Sequence, residues 1–150
     1  MNRLSLRCFA MAMLLAFAGT AFAQGLSIDI TDGSSTADPI AVVPFAFEGA
    51  GLPPETDVSE IVRADLARSG KFFTLGRRDI IEFPTRESEV KFATWRMLKQ
   101  DFLLVGRSQP SGDGYRVEYE LFDVARQERL LGFALTAPAG AMRDVAHQIS

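Results

Sequence analysis

Residues 40–45 read "IAVVPF", a nearly continuous apolar run with a proline near its end. Such a run is typical of a strand buried on both faces of a sheet, and Pro44 would end it because proline has no N–H to donate. The run "FLLVGR" at 102–107 predicts a second buried strand. Because helical patterns lie between the two runs, the connection indicates parallel pairing and an α/β fold.

The segment between the two buried runs holds two predicted helices and one short strand. Asp57 begins an N-terminal capping pattern, and Gly70 suits a C-terminal cap. Apolar residues at helical spacing predict one helix over 58–69 and another over 88–100. The run "KFFTL" at 71–75 predicts the strand between them.

A meander and a third helix follow the second buried run. The predicted elements are a hairpin turn at 110–114, a strand at 115–121, a turn at 126–128, a strand at 130–136 and a helix from 139 onward. This order predicts a mixed β-sheet with its helices packed mainly on one face. The last helix reaches residue 150 without a C-terminal cap, which indicates a fragment of a longer protein.

The first 23 residues have the layout of a secretory signal peptide. Arg3 and Arg7 precede an apolar run at 8–18, and Ala21-Phe22-Ala23 is a cleavage signal, so we expect cleavage between Ala23 and Gln24. The apolar run is shorter than the roughly 20 residues that span a bilayer. Losing the two positive charges takes the net charge from −3 to −5. Cys8 leaves as well, which excludes disulfides and cysteine chemistry from the mature chain.

Candidate catalytic residues are few and have no partners by spacing. His147 is the only histidine, and without an H-x-x-H or C-x-x-C motif we expect neither zinc nor catalysis there. Glu118 and Glu120, two apart on one strand face with Arg116, resemble paired carboxylates but are more typical of a solvated face. No metal, cofactor or enzymatic activity is expected.

A modest basic patch is formed by residues of the central segment, namely Arg77, Arg78, Arg86 and Lys91. On an acidic, exported chain such a patch indicates solvation rather than nucleic-acid binding. No nucleic-acid partner is expected.

The segment that follows the signal alternates between apolar and polar side chains. Leu26, Ile28 and Ile30 form one row of an extended strand, and "DGSSTADP" at 32–39 is typical of a flexible connector. Period two alone leaves two interpretations open: the first strand of the fold, or an extended segment held loose for a partner.

Several runs together resemble the N-terminal domain family of TolB proteins, periplasmic components of the Tol–Pal envelope system. The runs, in order, are "PIAVVPF" at 39–45, "DLARSGKFFTLGR" at 65–77, Trp95, "DFLLVGR" at 101–107 and "GYRVEYELFDV" at 114–124. The resemblance covers residues 24–150. No single run is diagnostic, but their order and spacing are fairly specific.

The resemblance implies a non-enzymatic interaction module that maintains outer-membrane integrity and envelope constriction during cell division. It implies an α/β domain at 39–150, ending in a truncated helix, and a flexible partner-binding segment at 24–38. In the family a six-bladed β-propeller follows, absent from this chain, and carries the main surface for the lipoprotein Pal. The mature N-terminus binds the C-terminal domain of TolA, which by position implies a site made of Gln24, Gly25, Leu26, Ser27, Ile28, Asp29, Ile30, Thr31, Asp32, Gly33 and Ser34. Contact with the outer membrane would be peripheral, through partners.

A second function class stays open from the residues. The chain could be the accessory domain of a secreted β-propeller hydrolase with its catalytic residues beyond residue 150. A G-x-S-x-G motif downstream would favour that class.

Overall fold

The computed structural model describes residues 37–150, which form six strands and three α-helices. The strands are β1 (Asp38–Val42), β2 (Ala46–Phe47), β3 (Phe72–Thr74), β4 (Phe102–Ser111), β5 (Gly114–Asp123) and β6 (Glu128–Pro138). The helices are α1 (Val58–Arg68), α2 (Phe92–Met97) and α3 (Met142–Ile149), with 3₁₀ turns at Arg77–Asp79, Glu87–Glu89 and Ala139–Ala141. The expectations for the signal peptide and for residues 24–36 concern residues outside this described part.

All six strands form one sheet in the order β3-β1-β4-β5-β6, with β2 also paired to β4. β1 lies parallel to both β3 and β4, because α1 and then α2 carry the chain back across the sheet. β4, β5 and β6 form an antiparallel meander. The predicted α/β class and mixed sheet are confirmed.

Pro44 interrupts what is otherwise one long strand beside β4. Val42 pairs with Leu104 and Ala46 pairs with Arg107, so three residues of one strand face two of the other. This is the geometry of a bulge, which proline without an N–H favours. The chain therefore returns to β4 as β2 after the break, which the sequence did not predict.

Two apolar clusters cover the two faces of the sheet. The first lies under α1 and α3 and includes Val42, Val62, Leu104 and Met142. The second lies under α2 and includes Val43, Trp95, Leu103, Val105 and Phe122. Two of the three helices thus pack on one face, and continuous apolar strands occur where both faces are covered.

The first predicted helix is confirmed, together with both of its caps. The Asp57 carboxylate accepts a hydrogen bond from the Glu60 N–H at 3.1 Å, which satisfies one free donor of the first turn. Gly70 has a φ of +71°, the left-handed conformation that follows many helices. The helix ends at Arg68, one residue before the predicted end.

The second predicted helix is wrong in its length. Instead of 88–100, α2 spans six residues, preceded by the 3₁₀ turn at Glu87–Glu89. Val90 and Leu98 pack against the second cluster from outside the helix. Their spacing in the sequence therefore reflects which side chains are buried, and not a helical backbone. Lys99 then adopts a positive φ of 57°, which stops the helix.

The strands of the meander are longer than their patterns indicate. β6 begins at Glu128 and runs to Pro138, because its backbone keeps pairing with β5 past the apolar alternation. The hairpin turn narrows to Gly112 and Asp113, with Gly112 at a φ of +62°. Among residues 37–150, no helix has the length and apolar character needed to cross a membrane.

Candidate interaction surface

The predicted partner-binding residues 24–34 and the cleavage site at Ala23 and Gln24 lie outside the described residues, and they stay predictions. What the structure describes is where that segment joins the domain. The Asp38 N–H donates to the Lys71 carbonyl at 2.9 Å, and β1 begins at Asp38, two residues before the strand predicted at 40–45. The joining point lies in the interior of the sheet, since β1 has β3 on one side and β4 on the other.

The carboxyl ends of the parallel strands border a crevice of about 190 Å³, hereafter the carboxyl-edge crevice. Its lining residues include Pro44, Phe45, Phe47, Pro53, Pro54, Asp57, Arg77 and Ser108. Crevices at this end of an α/β sheet are common ligand sites. The sequence signal that could have found it is the density of proline and phenylalanine between residues 44 and 54.

Phe45 reaches this crevice because β4 has a glycine beneath it. A Cβ on Gly106 would lie 2.7 Å from the Cζ atom of the Phe45 ring, closer than real contacts allow. Phe47 lies nearby, edge-on to Tyr115 with ring centroids 6.3 Å apart. These aromatic and proline walls suit an apolar side chain better than a charged group.

The charged residues Asp57 and Arg77 at the crevice form a hydrogen-bonded ion pair with each other. The Asp57 carboxylate accepts from the Ser59 hydroxyl at 2.6 Å and from Arg77 Nη1 at 2.7 Å. Burial acts to raise the pKa of Asp57, but the hydrogen bonds from Ser59 and Arg77 outweigh it and lower the pKa. Because Arg77 is paired in this way, the crevice offers little free positive charge to an anion.

Three of the four residues of the predicted basic patch, Arg77, Arg86 and Lys91, form ion pairs in the structure. Arg86 pairs with Glu48, and Lys91 Nζ lies 3.3 Å from the Glu82 carboxylate. The first pair lies between two loop residues, and the second lies between a loop and the residue that precedes α2.

The charged side chains of β5, which the sequence predicted to be a solvated face, form specific ion pairs in the structure. Glu118 lies between Arg107 of β4 and Arg116, whose Nε is 2.8 Å from the carboxylate. The hydrogen bond from Arg116, together with the charge of Arg107, holds the pKa of Glu118 below its ordinary value.

Glu120, the other half of the suspected carboxylate pair, binds elsewhere. It accepts the Glu87 N–H at 2.8 Å and lies 3.3 Å from Arg129 Nη1. The two glutamates therefore act as partners of arginines and of a loop, not as an acid–base pair. Within residues 37–150, no group of three or more potential metal ligands lies together.

His147 has a partner that its spacing could not reveal. Its Nδ1 atom is 2.5 Å from Asp65 Oδ2, although Asp65 lies 82 residues earlier on α1. The Ser150 hydroxyl donates to the same oxygen at 3.1 Å, and Arg68 pairs with the same carboxylate. The cluster ties α3 to α1, and its one hydroxyl, that of Ser150, bonds to the Asp65 carboxylate and to the His147 carbonyl oxygen.

The second candidate surface is the outer edge of β6, hereafter the β6 edge. Among the described residues nothing pairs with this side of the strand, which is exposed along most of its length. The sequence signal was the uncharged run "LGFALTA" at 131–137, which the alternation identified as a strand without showing that it lies at an edge.

Comparison with known families gives a consistent result. The TolB amino-terminal domain family matches this chain over residues 26–130. The Tol-Pal system protein TolB of Xanthomonas euvesicatoria pv. vesicatoria (strain 85-10) is 57% identical over 140 residues, or 93% of this chain and 32% of the relative. The same-named protein of Xanthomonas campestris pv. campestris (strain 8004) is 58% identical over the same shares. The chain thus spans about a third of the length of these relatives.

Solved structures agree on the fold. The crystal structure of TolB from Acinetobacter baumannii aligns with a TM-score of 0.63 and 28% identity, covering 76% of this chain and 26% of that one. The C-terminal domain of LpoB from Escherichia coli aligns with a TM-score of 0.53 over 71% of this chain and 86% of that one. At 15% identity, the second likeness concerns the fold alone.

Proposed function

Because this chain belongs to the TolB amino-terminal domain family, we propose that it is a non-enzymatic protein-interaction module of the Tol–Pal system. It acts in the periplasm and contributes to outer-membrane integrity and to envelope constriction during cell division. The observation that carries the proposal is the family match over 26–130, which includes both the alternating segment and the folded sheet from β1 to β5.

The proposed partner of the mature N-terminus is the C-terminal domain of TolA, bound by residues 24–34. An extended segment with one apolar row can add to the edge of a partner's sheet, where backbone hydrogen bonds give affinity and alternate side chains give specificity. Leu26, Ile28 and Ile30 provide that row. β1 begins at Asp38, so the proposed segment at 24–34 is followed closely in sequence by the folded domain.

The lipoprotein Pal is the proposed partner of the longer protein rather than of this domain. The curated relatives are about three times the length of this chain, so a propeller beyond residue 150 has room in them. Their shared Tol-Pal name favours the interaction module over the accessory domain of a hydrolase.

The test is a titration of labelled TolA C-terminal domain with the exported chain and with a variant that lacks residues 24–34. We expect the exported chain to bind and the deletion variant to lose binding while its circular dichroism spectrum is unchanged. Equal binding by both would place the site on the folded domain. An absence of binding by both would contradict the proposal.

A matched pair of substitutions tests the apolar row itself. Ile28→Asp adds a charge to the row, whereas Ser27→Asp adds the same charge to the opposite side of the same extended segment. We expect the first to weaken TolA binding by about tenfold or more, corresponding to 1.4 kcal/mol or above, and the second to change it little. Equal effects of the two variants would mean that the segment does not bind as a strand.

A further inference from the structure

The β6 edge lacks the protection that exposed edge strands normally have. In natural proteins, charges, prolines, bulges or short length keep exposed edge strands from pairing with other chains. β6 has eleven residues, and its charges, Glu128 and Arg129, lie at one end while Pro138 lies at the other. The irregular pairing beside Leu121 and Phe122 is also close to the charged end. The seven residues 131–137 between them carry no charge and no proline.

The middle of this edge exposes an aromatic ring. Phe133 is 60% exposed, and its ring contacts Tyr119 of β5 with centroids 6.1 Å apart. Leu131 and Leu135 lie in the same row, opposite Leu121 and Val117 of β5. The row therefore continues the apolar face of the sheet as far as its outermost strand.

The sequence of β6 is complementary to itself. Phe133 is the midpoint of Glu128–Pro138, so antiparallel pairing about that residue would place two Phe133 rings side by side. The same register sets Leu131 against Leu135 of the second copy, and Gly132 against Ala134. At the ends Glu128 meets the second copy's Pro138, so no like charges face each other, and such opposition is what would destabilise a strand pair.

We propose that the β6 edge pairs with β6 of a second copy of this chain, joining the two sheets across a two-fold axis at Phe133. Such an interface is isologous, since the same strand serves both copies. A second copy is the occupant that the symmetry of the strand favours, because a different partner would not require apolar residues placed evenly about the midpoint. One strand pair buries less area than a typical stable complex, so we expect a dimer that dissociates on dilution.

The first test is sedimentation equilibrium of the full exported chain over concentrations from about 1 μM to about 1 mM. We expect the apparent mass to rise from monomer to dimer across this range. A chain that stays monomeric throughout would overturn the proposal, and the edge would then be covered by another part of the protein or by a different partner.

Charge substitutions identify the strand that pairs. Phe133→Lys sets two like charges face to face, and we expect self-association to weaken about tenfold or more. Phe73→Lys is the matched control, since Phe73 is 68% exposed on β3 at the opposite edge of the sheet, and it should leave the dimer unchanged. A Phe133→Lys variant that dimerises like the original chain would contradict the proposal.

A mixing experiment separates lost pairing from lost folding. Phe133→Glu alone should be as monomeric as Phe133→Lys, but an equimolar mixture should form heterodimers because opposite charges then meet at the axis. If the mixture stays monomeric while both variants keep the original circular dichroism spectrum, the proposed register is wrong.

Cross-linking checks the register directly. In the exported chain, which has no other cysteine once Cys8 is removed with the signal, Phe133→Cys should form a covalent dimer on mild oxidation, because residue 133 is the one β6 position that faces itself. Phe73→Cys in the same exported chain should not form a covalent dimer. The opposite pattern would assign the contact to the β3 edge and overturn the proposal.

Discussion

The two halves of the sheet bury their strands in different ways. β1, β3 and β4 are parallel, and Ala41, Val43 and Leu103 at their centre are fully buried in the second cluster. Their neighbours Ile40, Val42 and Leu104 are buried in the first cluster, on the other face. In the meander, β5 has apolar residues on one side and the Arg116–Glu118–Glu120 row on the other, while β6 is largely exposed. The comparison teaches that a continuous apolar run marks a strand covered on both faces, whereas alternation marks a strand covered on one.

The largest contrast is expected from the same truncation made in each half. Leu103→Ala removes a fully buried side chain of β4 and should lower the free energy of unfolding by about 3 kcal/mol, through lost burial and a residual cavity. Leu131→Ala removes the same atoms from the half-buried row of β6 and should cost about 1 kcal/mol or less. Urea unfolding of both variants measures the difference. Equal losses would mean that the edge strand is as well covered as the centre.

Substitutions at two strand glycines test the same comparison with smaller expected changes in the free energy of unfolding. Gly106→Ala forces its new methyl group against the Phe45 ring, and we expect a loss of about 1 to 3 kcal/mol. Gly132→Ala on β6 meets nothing closer than 3.6 Å, so it should be neutral or slightly stabilising. Thermal unfolding monitored by circular dichroism would compare them. A neutral Gly106→Ala would show that Phe45 can move out of the crevice at little cost.

The ion pair between Arg107 and Glu118 joins the two halves of the sheet. It should contribute less to the free energy of unfolding than the buried contacts above. Both side chains are about one-fifth exposed, at 22% and 24%. A double-mutant cycle with Arg107→Met and Glu118→Gln should give a coupling energy of about 0.5 to 1 kcal/mol, decreasing at high salt. The measurement is urea unfolding of the four chains at low and high salt. A coupling energy near zero would mean that Glu118 relies on Arg116 alone.

The smallest expected effect concerns the contact between the two helices that cover the first cluster. The hydrogen bond from His147, with those of Arg68 and Ser150, lowers the pKa of Asp65 below its ordinary value of 3.8. A carboxyl group with a lowered pKa stabilises the fold above its unfolded pKa, and that stability is lost as pH falls through the folded value.

Asp65→Asn should therefore flatten the decrease in unfolding free energy below about pH 4. A profile that Asp65→Asn leaves unchanged would mean that the contact forms without coupling to folding.

Local patterns predicted the parts of the fold that depend on neighbours in sequence. The caps of α1, the hairpin after Ser111 and the buried runs of β1 and β4 each carry their signal within a few residues. What depends on distant residues could not be predicted. The partner of His147 lies 82 residues away, and the need for Gly106 comes from the Phe45 ring, 61 positions earlier in the break between β1 and β2.

The length of α2 and the nature of the candidate surfaces show the same limit. The apolar residues of 88–100 have helical spacing, although only some of them lie in a helix. The others pack against the second cluster from a turn and a loop. An edge strand and an inner strand also have the same alternation, so only the sheet order identifies β6 as an edge.

The position of β1 has a mechanical consequence. Tension on the residues that precede Asp38 would pull this strand along its own axis, between two parallel neighbours. In that shearing direction the hydrogen bonds to β3 and β4 share the load and must break together, whereas a strand peeled from an edge loses them one by one. A segment that takes hold of a partner through its N-terminus would therefore be anchored at the most load-resistant place in the sheet.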